Sequence, residues 1–202
     1  MQINRELVVQ SALTIMGETG VEGITMRKLA ASLNVQPGAL YWHFKNKQAL
    51  LAELANIIMA EVLAERTKTA NWQDEVRQAA VRLRLVLLKY PDSVRLITIS
   101  PYLLVPNTLK FGKQLLSAFA ASGLPDEHMR HCADTLLSYV TGFVLQEQTA
   151  KQFVTPEKVA QSEESDPDLV REFIEADADE QEDVVFDRGI AIIIKGVESL
   201  LL

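Results

Sequence analysis

The sequence predicts an all-α protein: a three-helix unit over residues 1–46 and a larger helical domain over 47–202. Three observations carry this. Apolar residues recur three and four apart through most of the chain, the period of a helix face. Residues that can cap a helix, Asn4, Thr25, Asn71 and Asp126, stand where these stretches begin, and Gly or Pro marks most of their ends. The opening then follows a set order: helix, short helix, turn and short aromatic helix.

Asn4 or a neighbour caps a first helix running to about residue 19, with Leu7, Val8, Ala12, Leu13 and Ile15 as its apolar positions and Gly17 and Gly20 at its end. Thr25 caps a short second helix over 26–33. Asn34 falls where the chain must turn, and Asn tolerates the left-handed conformation better than most residues. Gln36-Pro37 opens the third helix, with Pro37 in the first turn, where its missing N–H costs nothing. Gly38 and Ala39 are small enough to let another molecule approach the backbone.

Four ring-bearing residues follow, Tyr41-Trp42-His43-Phe44, next to Lys45 and Lys47. On a helix successive side chains step round by about 100°, so one buried stripe cannot hold all four. Leu40 and Phe44 share a face and point inward, which leaves Tyr41, Trp42 and His43 at least partly outward. Polar-tipped rings beside cations suit a phosphate backbone and base edges. The whole order is that of a helix-turn-helix whose last helix enters the DNA major groove.

Beyond this unit, Leu50, Leu51, Leu54, Ile57, Ile58 and Val62 give a long helix over about 47–66. A fifth begins near Asn71, carries Val76, Ala80, Leu83, Leu87 and Leu88, and ends before Tyr90-Pro91. Residues 93–100 suit a strand or a short helix, and the helical surroundings favour helix. Pro101 and Pro106 bracket a loop, and Pro106 starts a helix to about 121. After Ser122-Gly123-Leu124-Pro125, Asp126 caps a long helix to about 151. Residues 163–187 hold 12 acids and one base, Arg171; a solvated loop or short helix is the plain reading and an interaction tail the sharper one. The last helix, over about 182–202, is apolar over much of its circumference: Phe186, Ile190, Ile193, Val197 and Leu201 on one side, Ile192, Ile194 and Leu200 elsewhere. Such a helix is buried by more than one neighbour, here a core and a second subunit. Ser138, Thr141 and Gly142 form a close-packing surface on the preceding long helix.

The chain has 202 residues, enough for a sizeable core. No apolar run approaches the roughly 18 residues that span a membrane. The start lacks the charged-then-apolar order of a signal peptide, and the single cysteine, Cys132, fits a reducing cytoplasm. Residues 1–50 carry +2, from Arg5, Arg27, Lys28, Lys45 and Lys47 against Glu6, Glu18 and Glu22, in a chain whose net charge is −7; the remainder is therefore −9. The one positive portion is the helix-turn-helix, and the acidic remainder repels DNA and helps to orient the molecule.

The segments Thr25-Met26-Arg27-Lys28-Leu29-Ala30 and Gly38-Ala39-Leu40-Tyr41-Trp42-His43-Phe44-Lys45-Asn46-Lys47 resemble the DNA-binding domain of the tetracycline-repressor (TetR) family over about residues 4–52. Tyr90-Pro91-Asp92, residues 136–144 and residues 189–202 are similar to the C-terminal domain of the tetracycline-repressor branch itself. The resemblance implies a homodimer that binds a palindromic double-stranded operator and is gated by a small-molecule effector. It makes 47–202 the effector-binding and dimerisation domain, with the two long C-terminal helices in a four-helix dimer interface. A ligand-responsive repressor is the reading it favours. The alternatives are an activator or ligand-independent regulator of the same fold, and a small-molecule-binding protein with an idle DNA head.

The resemblance places Thr25, Met26, Arg27, Gln36, Pro37, Gly38, Ala39, Tyr41, Trp42, His43 and Lys47 at the DNA. Arg27 suits a bidentate contact to guanine and Gln36 one to adenine, against the plain readings of a solvated charge and a helix-start polar residue. Tyr41, Trp42, His43 and Lys47 are expected at phosphates. Ala39 donates no hydrogen bond to a base, so the operator should differ from that of the tetracycline repressor. His43 has no second ligand nearby, and His128, His131 and Cys132 make three local donors where structural zinc takes four. No metal, cofactor or enzymatic motif is expected.

For the effector the expected lining is Leu63, Leu83, Ile97, Ser100, Tyr102, Phe111, Leu115, Tyr139, Phe143 and Gln146, with plain core packing as the competing reading. The tetracycline repressor takes its drug as a magnesium chelate through a histidine and a glutamate. The corresponding positions here are Ile97 and Gln146, while Leu63 and Leu83 replace polar or aromatic drug-contacting positions. A carboxylate and an imidazole are what the metal wants there, and this chain offers neither. A mostly apolar effector held by a few hydroxyl or amide groups is expected instead of magnesium–tetracycline.

Overall fold

The computed structural model describes residues 3–64, 69–100, 104–153 and 181–201, with the side chains of 150–153 left aside. Among the described residues all regular structure is helical. In chain order the helices are α1 (Arg5–Thr19), α2 (Met26–Ser32), α3 (Pro37–Tyr41), α4 (Lys47–Ala64), α5 (Trp72–Lys89), α6 (Ser93–Ile99), α7 (Pro106–Ala121), α8 (Asp126–Phe153) and α9 (Glu182–Ser199). The segment that suited either a strand or a helix is α6. Tyr102 and residues 163–180 of the acidic stretch lie outside the described residues.

Helix starts follow the capping expectations at three places. The Asn4, Thr25 and Asn71 side chains accept hydrogen bonds from the amides of Leu7, Lys28 and Asp74 at 2.8, 3.0 and 2.8 Å, each satisfying an amide that has no partner within its helix. Asp126 differs: it lies inside the first turn of α8 rather than before it, where its charge still favours the positive end of the helix dipole.

Burial revises several faces. In α1 the core residues are Val8, Val9, Ala12, Ile15 and Met16, so Leu7 and Leu13 sit half-buried at the edge. In α9 the buried set is Phe186, Ile190, Ile194 and Val197. Ile194 takes the place expected for Ile193, and Leu201 is exposed. The 186–190–194–197 spacing, with steps of four, four and three, runs down one helix face, which a count of apolar residues around the circumference does not single out.

α4 joins the two parts of the molecule. It packs against α1 on one side and against α5, α6 and α7 on the other. α5, α7, α8 and α9 form the larger layered core, with α8 against α5, α7 and α9. Two polar joints fix α4 to this core. The Asn107 amide and Nδ2 donate to Asn56 Oδ1 and O, both at 3.0 Å, tying α4 to the first turn of α7. Lys89 Nζ and Tyr90 Oη donate to the Glu61 carboxylate at 2.5 and 2.9 Å. Lys89 first, then Tyr90, hold Glu61 below the usual carboxylate range despite its partial burial.

A third joint reaches the head directly. Asp92 adopts a left-handed backbone, φ 61°, and its Oδ2 accepts from the Val21 amide at 2.7 Å in the turn after α1. Gly20, φ 69°, leaves room for it, since a Cβ there would lie 2.9 Å from that oxygen. Beside it Arg95 of α6 pairs with Glu22. On the other side Gln148 of α8 donates to the carbonyls of Leu87 and Tyr90 at 3.0 and 3.1 Å, closing the end of α5.

Candidate functional site

The turn between α2 and α3 is built by two hydrogen bonds. The Val35 amide donates to Ala30 O at 3.0 Å and the Asn34 amide to Ala31 O at 3.1 Å, with Asn34 in the left-handed region at φ 54°. This is the Schellman arrangement, which satisfies the last carbonyls of α2 and sets the angle at which α3 departs. Pro37 occupies the first turn of α3, and the Gln36 side chain makes no cap hydrogen bond, so its amide group faces outward.

α3 is shorter than the aromatic stretch suggested. It ends at Tyr41, and Trp42 and His43 form a turn. The helical register survives through one more hydrogen bond, Phe44 N to Leu40 O at 2.9 Å. Leu40 and Phe44 are therefore both buried, and Tyr41 and Trp42 are 52% and 90% exposed. His43 is half-buried. A nearly bare tryptophan is costly to leave in water unless a partner covers it.

Arg5, counted above only as a charge, holds this turn in place. Its Nη1 donates to His43 O at 3.1 Å, its Nη2 pairs with Glu53 of α4 at 3.0 Å, and its guanidinium lies 4.3 Å from the centre of the Phe44 ring. One side chain thus ties α1, the aromatic turn and α4 together. Lys28 is also engaged, donating to Thr19 Oγ1 at 3.0 Å. The cations left for a partner are Arg27 and Lys45, both exposed, and Lys47, half-buried at the start of α4. With them on the same exposed end stand Thr25, half-buried Met26, Gln36, Pro37, Gly38 and half-buried Ala39. A Cβ added at Gly38 would meet open space, so nothing covers the backbone there.

Eight of the ten residues expected around an effector separate into three groups. Leu83, Phe111 and Leu115 are buried in the core between α5 and α7. Ile97 is half-buried on α6, Ser100 is buried, and Gln146 is exposed on α8. Tyr139 and Phe143 belong to a ring cluster with Phe186, at centroid distances of 5.2–5.8 Å. Tyr139 Oη donates to Phe186 O at 3.0 Å, and burial pushes its pKa up. Gly189 permits this approach: a Cβ there would fall 2.1 Å from the Tyr139 hydroxyl.

Arg84, which the sequence reading did not single out, runs through that cluster. It makes a bidentate pair with buried Glu147 at 2.8 and 2.7 Å, reaches Asp183 at 2.6 Å, and lies 4.8 Å from the Phe186 ring centre. Glu147 first, then Asp183, hold the guanidinium pKa above its ordinary value. The pair locks α5, α8 and α9 to one another.

Among the described residues of the expected lining, Leu63 alone opens on a cleft of about 900 Å³ between the end of α4, the start of α5 and α7. His131 bonds back to Glu127 O and Cys132 is buried. Among the described residues no group of three His, Cys, Asp or Glu side chains is placed to hold a metal, and no helix is long and apolar enough to cross a membrane.

Residues 8–54 match the family model described as bacterial regulatory proteins, tetR family, and residues 66–201 match that of the tetracyclin repressor-like C-terminal domain. The class D tetracycline repressor protein of Escherichia coli is 30% identical over 207 residues, covering 99% of this chain and 91% of that protein. Two solved structures are similar throughout. BioQ with its natural double-stranded DNA operator has a TM-score of 0.73 at 29% identity, covering 97% of this chain and 98% of that one. A TetR variant from Acinetobacter baumannii AYE in complex with minocycline has a TM-score of 0.73 at 27% identity, covering 98% of each.

Proposed function

This chain belongs to the tetR family of bacterial regulatory proteins, and from that premise we propose that it is a cytoplasmic, ligand-responsive repressor that binds a palindromic operator as a homodimer. Residues 1–46 form the reading head and 47–202 the effector-binding and dimerising body. The observation that carries the reading is the exposed end of the head. Arg27, Gln36, Tyr41, Trp42 and Lys47 stand outward there, on a turn whose angle is fixed from behind by Asn34 and Arg5. Arg27 and Gln36 read base edges, and Tyr41, Trp42, His43 and Lys47 hold phosphates.

The dimer is supported by what α8 and α9 leave uncovered. Leu145, Val184 and Ile192 are 48%, 41% and 70% exposed, and Gly142 on α8 has open space above it. A second copy of the same two helices covers these residues and sets the separation of the two heads. An effector that binds better to a dimer with wrongly spaced heads lowers operator affinity by the same factor as the operator lowers effector affinity. With Ile97 on α6 and exposed Gln146 on α8, these two positions offer neither imidazole nor carboxylate to a magnesium chelate, so magnesium–tetracycline is not the effector. Micromolar binding of tetracycline with magnesium would contradict that.

The test is selection of bound duplexes from a random-sequence library, followed by salt titration of the winner. A two-fold symmetric sequence with steeply salt-dependent affinity is expected. Recovery of no common sequence would overturn the reading.

A further inference from the structure

The cleft at the far end of α4 lies on a different face of α7 from the core. Of its α7 residues, Lys110, Lys113, Gln114 and Ser117 sit roughly a third of a turn round from buried Phe111 and Leu115 at about 100° per residue, with buried Ala118 on the border between the two faces. Leu63, Trp72 and Glu75 also line it. Trp72 is half-buried and backed by Phe119, ring centres 6.4 Å apart, so one face of a rigid indole is available. Glu75 is already engaged, accepting from Thr69 Oγ1 at 2.9 Å and from Gln114 Nε2 at 2.5 Å. Lys110 Nζ donates to Asn107 Oδ1 at 3.1 Å, and Lys113 is exposed with no ion pair among the described residues. Two lysines against one carboxylate make this a positive spot on a body that is otherwise strongly acidic.

We propose that this cleft binds a flat aromatic anion, with its ring on Trp72 and its carboxylate or sulfonate at Lys113 and Lys110, and that this is where the effector acts; the second half rests on the regulatory reading above. A ring stacked on indole and an anion beside ammonium groups are the two contacts the lining offers. Occupancy is felt at the head through α4. The occupant is wedged between Leu63, in the last turn of α4, and α7, while the Asn56–Asn107 pair ties the middle of α4 to the start of α7. Spreading the two helices at one end turns α4 about that tie, and α4 begins at Lys47, directly behind the aromatic turn.

The experiment uses full-length protein and 2-naphthoate, with its methyl ester as the uncharged control. The chain has two tryptophans, so Trp42→Phe leaves Trp72 as the reporter for fluorescence; operator release is followed separately in the wild type. Saturable quenching is expected, with affinity at least about tenfold weaker for the ester and for Lys113→Glu, the size of one charge-assisted contact. Ser117→Phe, which fills the cleft without touching charge, is expected to abolish quenching while leaving the thermal midpoint near that of wild type. Absence of saturation, or equal affinity in both variants, would overturn the site. Saturation that leaves operator affinity unchanged would overturn its role as effector site. Saturation in a protein that selects no operator would overturn the regulatory reading and leave the site standing.

Discussion

Arg27 and Lys47 are both outward cations of the head, yet they are expected to do different work. Arg27→Ala should cost about 1–3 kcal/mol of operator affinity and relax one base position, because a guanidinium reads a base edge bidentately. Lys47→Ala should weaken all sequences alike and flatten the salt dependence by about one unit of slope, as loss of one phosphate contact does. Gel shifts on operator and mutated duplexes at two salt concentrations separate the two outcomes. Arg5 makes a third case. It reaches His43 O and Glu53 rather than the outside, so Arg5→Ala should loosen the aromatic turn and lower operator affinity without changing base preference. A shifted preference would instead make Arg5 a contact residue. The exposure of Tyr41 and Trp42 was legible from the sequence, because Leu40 and Phe44 claim the only inward positions. The role of Arg5 was not, since its carbonyl partner is 38 residues away and nothing local marks the pairing.

Among the helices, α5, α8 and α9 are locked by the Arg84–Glu147 pair, both side chains about 5% exposed. Glu147→Ala leaves buried Arg84 with the largely exposed Asp183 as its remaining carboxylate, so it should destabilise the fold by about 3–5 kcal/mol, measured by denaturant unfolding. A loss under 1 kcal/mol would mean that water reaches Arg84. Glu61 gives the joint between α4 and α5 a dependence on acid. A carboxylate held below its ordinary range contributes stability that is present above the unfolded value and lost as pH falls through the folded one. Glu61→Gln should therefore flatten the acid side of the stability profile and change little at neutral pH. The elements themselves could be read early from caps and apolar period, including α6, where helical surroundings outweighed a strand-like run. What escaped was their mutual arrangement. Gln148 bonds the end of α5, and Asp92 bonds the turn after α1 from 71 residues away; both are set by packing that no local pattern encodes. The sequence did not separate pocket from core in the expected effector lining, because apolar residues of both share one spacing.

At the scale of the whole molecule, charge and shape divide the labour. The head carries the positive surplus and the body the negative one, a division that would keep the body off DNA phosphates and turn the head toward them. On α8 and α9, Leu145, Val184 and Ile192 are uncovered, as Leu85, Ile99, Leu109 and Leu116 are on α5, α6 and α7. Ile192→Glu places a charge at that surface and should give a folded monomer by sedimentation, with operator binding lost because one head alone reads a single half-site. A dimer that survives the substitution would put the interface elsewhere. The central claim is that the exposed end of the head reads sequence. It is tested most directly by footprinting wild type and Arg27→Ala on the DNA upstream of the protein's own gene at two salt concentrations. A protected palindrome with steep salt dependence, lost or blurred at one base position in the variant, is the expected result. Identical footprints for the two proteins, or salt-insensitive binding with no preferred sequence, would contradict it.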